Sequence, residues 1–249
     1  MSAASGVLFD LDGTLYHQPP LRVLMAAELG LRPWLQRPPT EVPRLWHALG
    51  VFREMREELR SHAPADGSLD ERQYTVAAGR AGVPVEFMRE AVREWIFERP
   101  LPYVHAARRR DARAVFERLR DDGVLVGVFS DYPVRDKLRA LGLDDLVSVQ
   151  LCATDADVNA FKPHPRGFLA ACERWHVAPA DVVYVGDRVD VDATGAAAAG
   201  MPCVIIGTRT RGAFLGVRRL SEVPALVQSP VRPGAVASFT REIDAHHTR

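Results

Sequence analysis

Two aspartates separated by one residue, Asp10 and Asp12, are the strongest chemical signal in this sequence. They occur at the end of the short apolar run 7–11, directly before Gly13. Alternate side chains of a strand point to the same side, so both carboxylates are expected together at the strand's carboxyl end. Two like charges this close need a cation, and carboxylate oxygens favour a hard ion such as Mg²⁺. The hydroxyl of Thr14 can face an anion beside them.

Further polar groups follow apolar runs in the second half of the chain. They are Ser130 and Asp131 after the run 124–129, Lys162 before Pro163, and the acids Asp187, Asp190 and Asp192 after the run 182–185. A fixed positive charge at Lys162 can meet phosphate. Asp187 comes directly after its run and is the better metal ligand, whereas Asp190 also suits the cap of the next helix.

Five short apolar runs predict the strands that must position these groups. They are residues 7–11, 124–129, 147–151, 182–185 and 203–206. Segments with helical spacing separate the later runs, at 111–120, 133–141, 165–175 and 192–199. Strands that alternate with helices predict an α/β fold, a Rossmann-like parallel sheet covered by helices on both sides. Such sheets bind ligands at the carboxyl edge, where the polar groups above are expected.

The interval 17–104 has a different pattern, with no β-rich run. It carries four amphipathic segments, at 21–31, 41–62, 70–82 and 84–98. Pro33, Pro38 and Pro39 are predicted to break the first segment from the second, and Pro100 and Pro102 to close the region. We expect an α-helical cap domain at 17–104, a core domain at 1–16 and 105–228, and a C-terminal tail at 229–249.

Composition excludes several classes of function. Lys plus Arg and Asp plus Glu number 32 each, so no overall positive field exists to hold nucleic acid or a membrane surface. No stretch approaches the ~18 apolar residues of a membrane helix, and the N-terminus lacks a signal-peptide pattern. Three cysteines in apolar segments fit buried free thiols in a reducing compartment. We expect a cytoplasmic protein, monomeric or homodimeric, with no nucleic-acid or membrane partner.

The order of the motifs resembles that of the haloacid dehalogenase-like (HAD) hydrolase superfamily, in the branch with an α-helical cap inserted after the first motif. Residues 9–15 match its D-x-D-G-T pattern, Ser130 its second motif, Lys162 with Pro163 its third, and Gly186 with Asp187 its fourth. The resemblance covers about residues 6–228. It implies an Mg²⁺-dependent phosphatase that hydrolyses a small organic phosphomonoester, so the expected partner is a small phosphorylated metabolite.

The resemblance also implies catalytic roles for two of the matching residues. Asp10 would be the nucleophile, forming an aspartyl phosphate, and Asp12 the general acid/base. The dehalogenases of this superfamily lack the second acid and need no magnesium, so Asp12 favours ester hydrolysis. A phosphosugar mutase of the same superfamily and a non-catalytic phosphoryl-binding regulator are the alternative hypotheses.

Binding roles follow from the same resemblance. Phosphate would be held by Ser130 and Lys162, with Thr14 and Asp131 beside them, and Mg²⁺ by the carboxylates of Asp10 and Asp187 and the backbone carbonyl of Asp12. Asp131 stands where many relatives have Asn, so a contact through its backbone N–H would survive the change. Either Asp190 or Asp192 would support the metal site, and we favour Asp192, orienting Lys162 or a metal-bound water.

Two basic features outside the motifs have open interpretations. His17 and Arg22, in the segment that leads into the predicted cap, either touch a polar group of the substrate or take part in surface packing. The run 108–110 of three arginines is either an anion patch or a solvated face.

Overall fold

A six-stranded parallel sheet forms the centre of the fold in this computed structural model, which describes residues 4–61, 67–208 and 214–228. The strands are β1 Gly6–Phe9, β2 Leu125–Ser130, β3 Val149–Cys152, β4 Val182–Gly186, β5 Cys203–Ile206 and β6 Leu215–Val217. Their order is β3-β2-β1-β4-β5-β6, so the first strand of the chain is central. The predicted α/β, Rossmann-like class is confirmed.

Each face of the sheet is buried beneath helices, which explains why the strands are continuous apolar runs. Val7 and Phe9 belong to one buried cluster and Leu8 to the cluster on the opposite face. A strand buried on both faces has no solvent side on which to place polar residues. The polar residues therefore begin where the strands end.

Helices occupy most of the described chain between β1 and residue 107. They are α1 Gln18–Gln36, α2 Glu41–Arg60, α3 Leu69–Ala81, α4 Val85–Val92, which continues into a π-helical segment Arg93–Glu98, and α5 Leu101–Ala107. Helices α2–α4 share a buried cluster of their own that includes Leu45, Phe52 and Met88. Leu21 of α1 and Val104 of α5 instead join a cluster against the sheet.

The predicted break at Pro33 is wrong, because α1 continues through this residue to Gln36. A proline lacks an N–H, so the carbonyl of Leu29, four residues earlier, loses its helical donor. The indole N–H of Trp46 on α2 donates to that carbonyl at 2.9 Å. A side chain from the neighbouring helix thus replaces the hydrogen bond that the proline removes.

The remaining helices cover the sheet. They are α6 Ala112–Asp121, α7 Arg135–Leu141, α8 Arg166–Trp175, α9 Thr194–Ala198 and α10 Val223–Gln228, and a π-helical turn, Val189–Ala193, leads into α9. All three cysteines are buried and free of disulfides. Within the described ranges, no helix combines the length and apolarity that crossing a membrane requires. The predicted tail at 229–249 lies outside the described residues.

Candidate active site

Three strand ends place the acidic and hydroxyl groups together. β1 pairs with β2 on one side and with β4 on the other. Asp10 follows β1, Ser130 ends β2 and Asp187 follows β4, while the N–H of Asp10 donates to Val185 O at 2.8 Å. Because neighbouring parallel strands end at the same edge, residues far apart in sequence meet there.

Asp10, Asp187 and Asp192 form an acidic cluster at this edge. Each contributes one carboxylate oxygen, and these three oxygens lie within 4.8 Å of one another. Gly13 makes the close approach possible, since a Cβ at that residue would lie 2.2 Å from Asp187 Oδ2 and its φ is +103°. A group of hard oxygen donors around one point fits a divalent cation such as Mg²⁺.

Lys162 lies inside the acidic cluster and is almost completely buried. Its ammonium group donates to Asp10 Oδ1 at 2.6 Å, to Asp192 Oδ1 at 2.8 Å and to the Tyr184 hydroxyl at 3.0 Å. Three donors therefore meet three oxygens, and the Lys162 side chain is fixed beside Asp10.

The two acids left open by the sequence lie in different surroundings. Asp192 is 1% exposed and accepts four hydrogen bonds, two at Oδ1 from Lys162 and Tyr184 and two at Oδ2 from the N–H groups of Asp187 and Arg188. A carboxylate has about four lone-pair sites, so Asp192 is suited to hold its neighbours rather than to bind an ion directly. Asp190 is exposed and pairs with Arg188 at 2.7 Å, outside the cluster.

Asp12 is held by three side chains. Its Oδ1 accepts from the Tyr16 hydroxyl and from Lys137 Nζ, the latter at 2.5 Å, and its Oδ2 accepts from Ser130 Oγ at 3.0 Å. Burial alone would raise the pKa of Asp12, but the charge of Lys137 and these hydrogen bonds hold it below its usual value. Asp12 is thus kept ionised beside Ser130.

Two members of the acidic cluster, Asp10 and Asp187, have pKa values shifted the other way. Burial raises the pKa of Asp10 well above its ordinary value, and the charges of Asp192, Asp12 and Asp187 add to the effect, although Lys162 opposes it. Burial and the neighbouring Asp192 raise the pKa of Asp187 to about 6. These carboxylates carry more negative charge than Lys162 offsets, and a divalent cation is the ligand that such a set favours.

Thr14 and Asp131 lie in the two loops beside the cluster. Thr14 is fully buried, and its hydroxyl has no hydrogen-bond partner within the described residues. Asp131 lines the cavity, but its carboxylate is occupied by Arg60 and by the N–H of Lys162. A phosphate contact at Asp131 is therefore left to its backbone N–H, as the change from Asn suggested.

Sequence reasoning missed several residues that position the site. No motif marks these residues, and all but Tyr16 act through contacts with residues distant in sequence: Tyr16, Arg56, Arg60, Arg109 and Lys137. Arg109 donates to the carbonyls of Gly13 and Thr14 at 2.9 and 2.8 Å. Arg108 also donates to a carbonyl, that of Leu141, at 2.5 Å, so two members of the arginine run have backbone partners. The proximity of Tyr16 to Asp12 in sequence was the one available hint.

A cavity of about 670 Å³ opens above the acidic cluster. Asp10, Asp12 and Lys162 line its floor, and His17 and Arg22, the two residues left open above, are among its other lining residues. The volume lies within the usual range for a site that binds a small molecule.

Comparison with known proteins finds a matching family and a similar protein of named activity. A family model described as haloacid dehalogenase-like hydrolase matches residues 4–200. Glyceraldehyde 3-phosphate phosphatase from Methanopyrus kandleri is 29% identical over 217 residues, covering 80% of this chain and 82% of that protein.

Two solved structures are similar over most of the chain. A 2-haloacid dehalogenase from Pseudomonas syringae pv. Tomato DC3000 has a TM-score of 0.63 and 26% identity, covering 90% of this chain and 98% of that one. A HAD phosphatase from Thermococcus onnurineus has a TM-score of 0.59 and 27% identity, covering 93% of this chain and 100% of that one. The names of these similar proteins include two reactions, so the choice between them depends on the residues of the site.

Proposed function

This chain belongs to the haloacid dehalogenase-like hydrolase family, and we propose that it is an Mg²⁺-dependent phosphatase acting on a small organic phosphomonoester. The observation that carries the proposal is Asp12, a second carboxylate beside the expected nucleophile. An alkoxide leaving group needs a proton and a halide does not, so a second acid suits ester hydrolysis. The similarity to a glyceraldehyde 3-phosphate phosphatase supports the same choice.

Asp10 is the proposed nucleophile. Lys162 contacts its Oδ1 and fixes the direction of the carboxylate towards the cavity. Attack of Asp10 on phosphorus forms an aspartyl phosphate and releases the alcohol, and hydrolysis of that phosphate restores the carboxylate. This divides one very slow reaction into two steps with lower barriers.

Asp12 is the proposed general acid and base. In the resting state Ser130 donates to Asp12 Oδ2. A bound phosphoryl group would attract the Ser130 hydroxyl, and Oδ2 would then be free to exchange a proton. Asp12 is ionised in the resting site, so it would first take a proton from the incoming monoanionic ester and then give that proton to the departing alkoxide. In the second step it would accept a proton from the attacking water and release it to solvent, while Lys137 and Tyr16 keep Oδ1 in place.

Asp10, Asp187 and the backbone carbonyl of Asp12 are the proposed ligands of Mg²⁺. When bound, the ion supplies positive charge that neutralises the carboxylates and the phosphoryl oxygens. Asp192 holds the N–H of Asp187 and the ammonium of Lys162, and so fixes two of the charges around the phosphoryl position.

The helices of residues 17–104 form the proposed cap over this site. Helices α2–α4 have a buried cluster of their own, which is the packing expected of a separate domain. Cavity residues come from both parts of the chain, with Glu57 and Arg60 from α2 and Asp187 and Val191 from the core. The cap would therefore exclude water and set substrate preference.

A release assay tests the proposal directly. The protein is incubated with Mg²⁺ and a panel of sugar phosphates, nucleotides and phosphoglycolate, and free phosphate is measured alongside halide release from 2-chloropropionate. We expect phosphate release, its loss with a chelator or in Asp10→Asn, and a ³²P label on the wild-type protein in acid-quenched reactions.

Two results contradict the proposal. Halide release without phosphate release identifies a dehalogenase. Isomerisation of a sugar phosphate without release of free phosphate identifies a mutase.

A further inference from the structure

Asp131 accepts hydrogen bonds at three separate oxygens, and the donors come from two other parts of the fold. Its Oδ1 accepts from the N–H of Lys162 at 3.0 Å, its Oδ2 accepts from Arg60, and its backbone carbonyl accepts from Arg56 Nη2 at 2.6 Å. Asp131 is 6% exposed. This one residue thus connects the loop after β2, the loop before α8, and helix α2.

The acid at residue 131 matches its donors better than an amide would. Both carboxylate oxygens face N–H groups, whereas an asparagine would turn its NH₂ towards one of them. Although burial alone would raise the pKa of Asp131, the charges of Arg60, Lys162 and Arg56 hold it below its ordinary value. A carboxylate at residue 131 therefore suits the positive charges that Arg60 and Arg56 bring from α2.

Arg60 also fixes the backbone of Lys162. Its Nη1 donates to the Lys162 carbonyl at 3.1 Å, while Asp131 accepts from the Lys162 N–H. Both peptide groups of Lys162 are held in this way, and the side chain of the same residue reaches Asp10 at 2.6 Å. If Arg60 moved, Lys162 would move with it, and Lys162 directly contacts the proposed nucleophile, Asp10.

Arg56 is 2% exposed and lies between two aromatic rings. Its guanidinium carbon is 4.1 Å from the ring centre of Tyr132 and 4.3 Å from that of Phe161, and Nη1 donates to Gln73 Oε1 at 2.5 Å. Tyr132 and Phe161 are the chain neighbours of Asp131 and Lys162. A buried guanidinium needs such partners, so the packing of both loops depends on this side chain.

We propose that Arg56, Arg60 and Asp131 form a clasp through which the docking of helix α2 positions Ser130 and Lys162 for catalysis. The inference rests on the proposed phosphatase function and adds positioning residues to it. The clasp is complete only while α2 lies against the two loops, so the site is organised only with the cap in place.

Paired substitutions test the clasp. The variants are Arg60→Met, Asp131→Asn, the double variant and Arg60→Lys, with Arg53→Met as the matched control, since Arg53 is exposed on the same helix. The substrate is para-nitrophenyl phosphate, assayed with Mg²⁺. It is a small ester, so its hydrolysis depends little on substrate contacts with the cap. Inhibition by inorganic phosphate provides a second readout, and thermal unfolding shows which variants fold.

Loss of a hydrogen bond to a charged group predicts that kcat falls about tenfold to a hundredfold in Arg60→Met and in Asp131→Asn, with KM changed far less. The double variant should be no slower than the slower single variant, because both remove the same contact. Arg60→Lys should recover part of the loss, phosphate should bind more weakly to the impaired variants, and Arg53→Met should behave as wild type. If Arg60→Met does not fold, Arg60→Lys and Asp131→Asn carry the comparison.

Three results would overturn the clasp. They are wild-type kcat in Asp131→Asn, losses that multiply in the double variant, and a change confined to KM in the Arg60 variants, which would make Arg60 a substrate contact. The control Asp10→Asn shows whether only the clasp is wrong or whether the proposed phosphatase function is wrong as well. If Asp10→Asn is inactive while clasp variants are normal, only the clasp is wrong, whereas an active Asp10→Asn removes the proposed function itself.

Discussion

Replacing Asp192 by Asn should slow the enzyme on the order of a hundredfold. The carboxylate accepts from Lys162 and Tyr184 at one oxygen and from two backbone N–H groups at the other. An amide can serve only one side, whichever way it is turned. The side chain of Asp192 also fills the space that Gly186 leaves free, since a Cβ on Gly186 would lie 2.4 Å from Asp192 Oδ2.

The magnitude follows from the bonds that are lost. Hydrogen bonds to a charged group contribute about 1.5–3 kcal/mol each, and an unsatisfied buried donor costs a similar amount. A loss of about 3 kcal/mol in the orientation of Lys162 and Asp187 corresponds to on the order of a hundredfold in rate. Asp190→Asn is the matched control, since Asp190 lies on the same turn but is exposed and pairs only with Arg188 among the contacts described. Its surface pair is worth about 0.5 kcal/mol, so we expect no more than about a twofold change.

The assay is steady-state hydrolysis of para-nitrophenyl phosphate across a range of Mg²⁺ concentrations. Asp192→Asn should lower kcat and require more Mg²⁺ for half-maximal rate, because Asp187 loses the anchor on its N–H. Thermal unfolding of both variants shows whether the fold is kept. Equal rates for the two variants, or a slower Asp190→Asn, would refute the assignment of Asp192 as the supporting acid.

Two further substitutions test other contacts. Gly13→Ala should lower kcat by at least about tenfold, since the added Cβ overlaps Asp187 Oδ2 and a φ of +103° strains any side chain; a wild-type rate in a folded Gly13→Ala protein would contradict the close approach. Trp46→Phe should cost about 0.5–1 kcal/mol and lower Tm by about 2 °C without changing kcat, because the Leu29 carbonyl loses its donor. The control is Trp34→Phe, which alters the other ring of the same aromatic pair, and Tm is measured by calorimetry. Equal Tm values for Trp46→Phe and Trp34→Phe would count against the role of the Trp46 indole N–H.

The sequence predicted the strands well because each is a short run buried on both faces, and such runs end abruptly in polar residues. It missed β6, since Leu215–Val217 has three residues with a central Gly and no usable pattern. It placed a helix break at Pro33 because rules based on local sequence assume that the hydrogen bond lost at a proline is not replaced. The donor that replaces it, Trp46, comes from another helix, which no local pattern reports.

The strand-end residues of the site could be found for a related reason. Asp10, Ser130 and Asp187 each follow an apolar run, so topology alone brings them to one edge. Lys137 and Arg60 lie on helices, and nothing in their local sequence distinguishes them from solvated charges. Their roles depend on the tertiary distance to Asp12 and Asp131, which only the folded chain provides.

The two crossings between the sheet and the inserted helices run side by side. Tyr16 and Arg108 face each other across a β-bridge, and the N–H groups of His17 and Arg109 donate to Ala107 O and Leu15 O at 2.9 and 3.0 Å. The chain therefore leaves the sheet and returns to it through two adjacent, hydrogen-bonded segments. The register of the strands does not depend on how many residues are inserted between these segments. At such a junction the whole inserted segment can be replaced by another without changing the strand ends that carry the site residues.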